Sequence, residues 1–419
     1  MSDAVEGVPI AYVARDVLRL SLATLAANLL TFATTVLLGR TWPPERFGQF
    51  VFLMAFGRLF EAIADGGLSL LVTRQIAQCR SSASTLVPVL GLLKLGLAMG
   101  MMAVLGVVVG AGGVAAPLQG AAVLVGVMVA ADSLHGFLGA VANGLERLDV
   151  VAALRVGQRL LSFGAAALAL GWGADLTGVV AWMACASLLG VLVGWWWVAT
   201  RLLPVRWTGE AFDQLGQRVR QAWPFALLFA ASLVYGYVDI PLLHALTDSA
   251  TVARYGTALY VVTALMFIPA NLSAALYPRF AKMDLRDRSD ATSRLRRALR
   301  LAAGVAVPAV AGLTLLAHPA MRLIWGERYL SSAPILQVLA WRFGLECLTT
   351  VLFHYLVAVG QQLQVVGVLL LAIVVKVGLD LAWIPHWQAG GVALAAVLAH
   401  LTLGALLVWL IRKSTERLP

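Results

Sequence analysis

Charge is scarce in this chain, and the scarcity decides its class. Asp, Glu, Lys and Arg make up 12% of the 419 residues while 61% are hydrophobic, whereas a soluble domain carries roughly 25% charged residues. The mean hydropathy is +0.87. Such a composition places the chain in lipid. Cysteine is also sparse: Cys79, Cys185 and Cys347 show no CxxC spacing, which suggests neither a metal site nor a disulfide framework. The GxxxxGK[ST] loop that cradles nucleotide phosphates and the HExxH pair that holds zinc are missing. No catalytic residue and no metal ligand is identified, and the chain is expected not to be an enzyme. It opens Met1-Ser2-Asp3-Ala4-Val5-Glu6-Gly7 without the basic start of a cleavable signal, so the first apolar run is expected to remain as a membrane helix.

Long apolar runs are what the chain does have. A helix crossing the hydrocarbon core needs about 20 mostly apolar residues. Twelve windows qualify: 17–39, 49–71, 84–110, 116–142, 153–173, 177–200, 222–246, 253–278, 299–320, 332–358, 362–384 and 389–411. The expected fold class is an all-α polytopic membrane protein with about twelve transmembrane helices. Basic residues favour cytoplasmic connections. With these spans, only Arg40, Arg46, Arg254, Arg322 and Arg328 fall on the poorer side, and Arg58, Lys94, Arg342 and Lys376 fall within spans. The other Lys and Arg share one side, which places both termini in the cytoplasm. The basic run from Arg286 to Arg300 reads as an anchor for anionic headgroups of membrane lipids, not as a nucleic-acid surface.

The halves echo one another. Phe47-Gly48 precedes a span ending Leu70-Leu71-Val72-Thr73-Arg74, and Tyr255-Gly256 precedes one ending Ala275-Leu276-Tyr277-Pro278-Arg279. Two six-helix lobes are expected, residues 1–200 and 222–419, joined by a cytoplasmic amphipathic connector over 201–221 in which Phe212, Leu215 and Val219 recur at helical spacing. An even number of spans per copy gives both copies the same orientation, related by a pseudo-twofold along the membrane normal. The substrate site is then expected in the cleft between lobes.

Charges inside spans cost at least about 2.5 kcal/mol each on insertion scales and mark a pathway or a helix pairing. Arg58, Glu61 and Asp65 share one helical face at i, i+3, i+7, while Arg342 with Glu346 and Lys376 with Asp380 stand at i, i+4. Arg58, Glu61, Lys94, Arg342, Glu346 and Lys376 are the expected substrate pathway, and their four cations suit an anion such as a pyrophosphate headgroup. Asp65, Asp132, Asp239 and Asp380 are candidates for ion coupling or helix pairing. His135, His354 and His400 are read as bonds to neighbouring helices and not as proton relays.

A family resemblance rests on Leu38-Gly39-Arg40, Pro43-Pro44-Glu45-Arg46-Phe47-Gly48-Gln49-Phe50, Ala64-Asp65-Gly66-Gly67-Leu68 and Thr73-Arg74-Gln75-Ile76-Ala77. Trp223-Pro224 and Tyr277-Pro278-Arg279 fit as well. The chain resembles the O-antigen type of polysaccharide biosynthesis flippase, within the multidrug/oligosaccharidyl-lipid/polysaccharide exporter superfamily. The resemblance implies movement of an undecaprenyl-pyrophosphate-linked oligosaccharide across the bacterial inner membrane by alternating access. It also implies coupling to a Na+ or H+ gradient, no bound cofactor, a monomer, and work beside a polysaccharide polymerase and a chain-length regulator. A cation-coupled multidrug antiporter of the same superfamily stays open as an alternative. A flippase for a peptidoglycan precursor would carry two further helices. A membrane glycosyltransferase or polymerase stands further off, because the loops expected near 40–48 and 321–331 are too short to fold a catalytic site.

Overall fold

The computed structural model describes residues 10–80, 83–202, 215–281 and 288–417. Every regular element among them is helical. In chain order they are α1 (Ile10–Thr41), α2 (Pro44–Asp65), α3 (Leu68–Gln78), α4 (Ala83–Val108), α5 (Gln119–Gly144), α6 (Leu148–Gly171) and α7 (Leu176–Arg201). They continue with α8 (Leu215–Tyr237), α9 (Asp239–Leu246), α10 (Ser249–Ala264), α11 (Phe267–Ala281), α12 (Arg288–Leu315), α13 (Ala317–Trp325), α14 (Ala333–Ala358) and α15 (Gln362–Arg417).

Eleven stretches of the described residues are long and apolar enough to cross a membrane. One of them, Gln362–Lys413, has 52 residues. At 1.5 Å per residue it would measure about 78 Å, more than twice the roughly 30 Å hydrocarbon core. It is broken at Gln388, whose φ of 48° and ψ of −128° are not helical. Two crossings therefore lie within α15, and the chain is an all-α multi-pass membrane protein.

Several boundaries differ from the sequence expectation, each for a local reason. Residues 40–48 are not a loop: Pro44 occupies the first helical position, where its missing N–H costs nothing, so α2 already contains Phe47-Gly48. The second span does not run to residue 71, because Gly66 (φ 56°) and Gly67 (φ 74°) adopt the left-handed conformation open to glycine and turn the chain into α3. Tyr255-Gly256 likewise lies inside α10, which starts early because the Asp248 carboxylate accepts the Thr251 N–H at 2.6 Å. Residues 321–331 hold the end of α13 and a short 3₁₀ turn in place of a loop. Of the expected connector, residues 203–214 lie outside the described residues, and the rest continues into α7 and α8.

The chain packs into two units. The first comprises residues 1–34 and 60–226; the second comprises 35–59 and 227–419. The first unit's core gathers Val72, Ile76, Leu90, Phe137, Val141 and Val150. In the second, Leu276, Val351, Leu356, Val365, Ala399 and Leu407 pack together. Residues 35–59 belong to this second unit through an intimate helix crossing. A Cβ on Gly48 would lie 1.7 Å from the Ser249 carbonyl oxygen, and one on Gly256 would lie 2.7 Å from Val51. The two copies of the repeated aromatic-glycine pair thus meet where only glycine fits. Around them, the Phe47 ring sits 5.6 Å from that of Trp325 and 6.1 Å from that of Tyr329. The Arg40 guanidinium donates to the Ile324 carbonyl at 2.8 Å, and Arg328 donates to that of Trp42 at 2.9 Å.

Candidate functional site

Polar side chains gather within the helices of each unit, in two networks in the first and one cluster in the second. In the first unit, the left-handed turn after α2 aims the Asp65 carboxylate at Lys94 on α4. The Lys94 side chain has no exposed surface, and its ammonium reaches Asp65 Oδ1 at 2.5 Å. The same carboxylate accepts the Gly67 N–H at 3.1 Å and the Ser69 hydroxyl. Across α5, α6 and α7, Asp132 Oδ1 accepts from Gln158 Nε2 at 3.1 Å and from the Ser187 hydroxyl at 2.8 Å, while Arg159 stands 3.5 Å from Oδ2. Gly190 makes room for this contact, since a Cβ there would lie 1.8 Å from Gln158 Oε1. His135 faces two backbone carbonyls, Gly190 at 3.2 Å and Leu154 at 3.0 Å.

The second unit's cluster is larger and less completely bonded. Lys376 and Asp239 are fully buried and 3.2 Å apart. Asp239 Oδ2 also accepts the Tyr255 hydroxyl at 2.6 Å, and the Lys376 ammonium donates to the Tyr235 carbonyl at 2.7 Å. Asp380 is fully buried, and neither of its carboxylate oxygens has a hydrogen-bond partner. One turn apart on α14, Arg342 and Glu346 form a loose pair with NH2 3.6 Å from Oε2. That same Oε2 stands 3.6 Å from Nε2 of His400. Both separations exceed hydrogen-bond length. Nε and NH1 of Arg342 are buried without a partner, as is Glu346 Oε2. Tyr235 joins the two parts of the cluster, its carbonyl on Lys376 and its hydroxyl 3.0 Å from Nδ1 of His400.

The residues singled out in the sequence sort as follows. Arg342, Glu346, Lys376, Asp239 and Asp380 come together in the second unit. Lys94 and Asp65 pair in the first, where Asp132 stands in a separate network. Arg58 and Glu61 are half-buried on α2, in different units. The i, i+4 spacing matches the Arg342–Glu346 pair, but Lys376 turns to Asp239 and not to Asp380. Neither Lys94 nor Lys376 presents exposed surface. Sequence reasoning read His400 only as a bond to a neighbouring helix, noted Tyr255 only as part of the repeat and passed over Tyr235, because an isolated histidine or tyrosine in an apolar run carries no periodic signal. Gln158 and Ser187, polar positions within expected spans, were readable. Among the described residues no group of three or more metal-ligating side chains converges.

Comparison with known proteins places this arrangement. The chain is similar in structure to a lipid II flippase, MurJ, in an inward closed conformation, with a TM-score of 0.75, 12% identity, and 94% of this chain and 87% of that one covered. It is also similar to an inward-facing multidrug resistance MATE family transporter of the MOP superfamily, with a TM-score of 0.71, 15% identity, and coverage of 96% and 98%. A third similar structure is a MOP superfamily transporter from Pyrococcus furiosus described by a binding pocket of reversed polarity (TM-score 0.69, 12% identity, coverage 96% and 96%). These likenesses establish the fold. No curated protein matches in sequence. The family described as polysaccharide biosynthesis protein matches residues 13–284, well over half the chain. Multi-pass architecture, transporter fold and family match agree, and the chain belongs to the polysaccharide biosynthesis protein family.

Proposed function

We propose that this protein is a flippase carrying an undecaprenyl-pyrophosphate-linked oligosaccharide from the cytoplasmic to the outer leaflet of the bacterial inner membrane. It would act by alternating access and serve the synthesis of O-antigen, capsule or exopolysaccharide. The observation that carries this reading is Arg342, a guanidinium kept out of water with two of its nitrogens unbonded. Such a group costs several kcal/mol unless something pairs with it. The planar fork of arginine matches a phosphate, and a pyrophosphate entering the cluster would offset that cost. Membership of the polysaccharide biosynthesis family and a fold like that of a lipid II flippase support the same substrate class.

In this reading Arg342 contacts the headgroup of the substrate, and Glu346 stands beside it on the pathway. Lys376, Asp239 and Asp380 form the element that responds to H+ or Na+, and Arg58 and Glu61 line the pathway, while the Lys94–Asp65 pair, its ammonium fully buried, holds the neighbouring helices in place. Both termini are cytoplasmic, and the protein works as a monomer beside a polymerase and a chain-length regulator. The test is export of surface polysaccharide in cells that depend on this chain. Arg342→Gln, present in the membrane at normal abundance, is expected to abolish it, and normal polysaccharide would overturn the reading.

One observation favours a second reading. In the second unit's cluster three carboxylates, Asp239, Asp380 and Glu346, face two permanent cations, Lys376 and Arg342, and that excess suits a cationic drug. Expression that raises resistance to cationic compounds, unaffected by Arg342→Gln, would identify a multidrug antiporter instead.

A further inference from the structure

The geometry at Glu346 points to a proton switch. Arg342 and His400 approach the same carboxylate oxygen, Oε2, from two helices, each at 3.6 Å, and that oxygen has no hydrogen bond. We infer that protonation of His400 draws Glu346 away from Arg342 and frees the guanidinium for an anion, so that the proton and a pyrophosphate-bearing ligand bind cooperatively. This inference rests on the assignment of Arg342 to the headgroup, and adds the group that regulates it.

The environment of the imidazole carries the case. Nδ1 lies 2.9 Å from the Ala396 carbonyl oxygen and 3.0 Å from the Tyr235 hydroxyl. Nε2 stands 3.6 Å from the Glu346 carboxylate. An imidazolium has two N–H donors and serves both acceptors, Ala396 and Glu346. A neutral ring has one, and leaves one of them without its N–H. Charging His400 therefore creates a second cation competing for Glu346, while Arg342 has nitrogens with no other partner. The remaining charges of the cluster are Lys376 and Asp380 earlier on α15 and Asp239 on α9. Lys376 is committed to Asp239 and the Tyr235 carbonyl. It is not a competitor for Glu346.

Coupling of this kind is reciprocal: a proton that raises anion affinity is itself held more tightly when the anion is bound. The experiment uses the purified full-length protein and farnesyl pyrophosphate as probe, with affinity measured at pH 5.5 and pH 8. Wild type is expected to bind more tightly at pH 5.5, on the order of tenfold beyond the change shown by His400→Gln, which corrects for titration of the probe itself. At pH 8 His400→Gln should bind as weakly as wild type, and at pH 5.5 it should change only by the amount that titration of the probe itself accounts for. Glu346→Gln, which removes the competitor's target, should bind tightly at both. A wild-type pH response retained in His400→Gln, or weak binding by Glu346→Gln, overturns the switch. Arg342→Gln separates the two ideas: unchanged binding there overturns the headgroup assignment and the switch with it. Lost binding, alongside a His400→Gln variant that still responds like wild type, leaves the assignment standing and removes only the switch. The melting temperature of each variant identifies a fold that has failed, and His400→Asn then replaces His400→Gln as the neutral variant.

Discussion

The polar clusters of the two units look alike in composition and differ in how far they are satisfied. In the first unit, Asp65 answers Lys94, Ser69 and a backbone N–H, and Asp132 answers Gln158, Ser187 and Arg159, so that Gln158 Oε1 alone among these groups is buried without a partner. In the second, Asp380 and one oxygen of Glu346 have no hydrogen-bond partner, and Arg342 keeps two bare nitrogens. A satisfied buried network fixes one arrangement of helices; a partly satisfied one stores a preference for something not yet bound. The first cluster therefore reads as the structural one and the second as the working one.

The sharpest way to break that comparison is at Lys376. Lys376→Met leaves Asp239 buried without its cation, and a loss of about 3–5 kcal/mol of stability is expected. The melting temperature of the detergent-solubilised protein reads it, and Asp239→Asn in the same chain should recover part of the loss. An unchanged melting temperature would show that the pair holds nothing together. Next in size is Asp132→Ala, which strands Gln158 and Ser187 and is expected to cost about 1–3 kcal/mol. Export per molecule should stay normal, because the first cluster is structural, and a specific loss of export at full abundance would reverse the assignment. Gly48→Ala probes a place where neither cluster acts. The added methyl group would run into the Ser249 carbonyl, and overpacking of this kind costs about 1–3 kcal/mol.

The smallest effect is expected at the α10 cap, outside the spans. The Thr251 backbone N–H, helped by its hydroxyl, holds the exposed Asp248 carboxyl below the usual aspartate range. Its contribution is complete above the unfolded pKa of about 3.9 and fades as pH falls through the lowered folded value. Asp248→Ala should cost about 0.5 kcal/mol at neutral pH, the low end for a cap because the site is exposed. Melting curves at pH 7 and below pH 3 should differ between wild type and variant only at the higher pH.

Much of the fold was legible because lipid imposes a simple rule, about twenty apolar residues to a crossing. What the rule hides is interruption. Hydropathy runs unbroken through Ala64-Asp65-Gly66-Gly67-Leu68, so the break between α2 and α3 was visible only as glycine chemistry. The candidate site was legible where it is local: Arg342 and Glu346 stand one turn apart and pair. It was illegible where it is tertiary. Lys376 has Asp380 at the same favourable spacing, yet its ammonium goes to Asp239 and to the Tyr235 carbonyl, 141 residues away. No helical period connects such residues. His400 gained meaning only from what surrounds it.

The seating of residues 35–59 against α10 and α13 also sets a timetable. Arg40 precedes its carbonyl partner on Ile324 by 284 residues. At 5–20 residues per second, a growing chain makes the first half of this contact roughly 15–60 s before the second exists. For that interval Phe47 and its neighbours stand in the bilayer beside surfaces that are not their own. Helices made late in synthesis complete the packing of the first two, and a chain stopped before residue 324 would leave Arg40 and Phe47 without these partners.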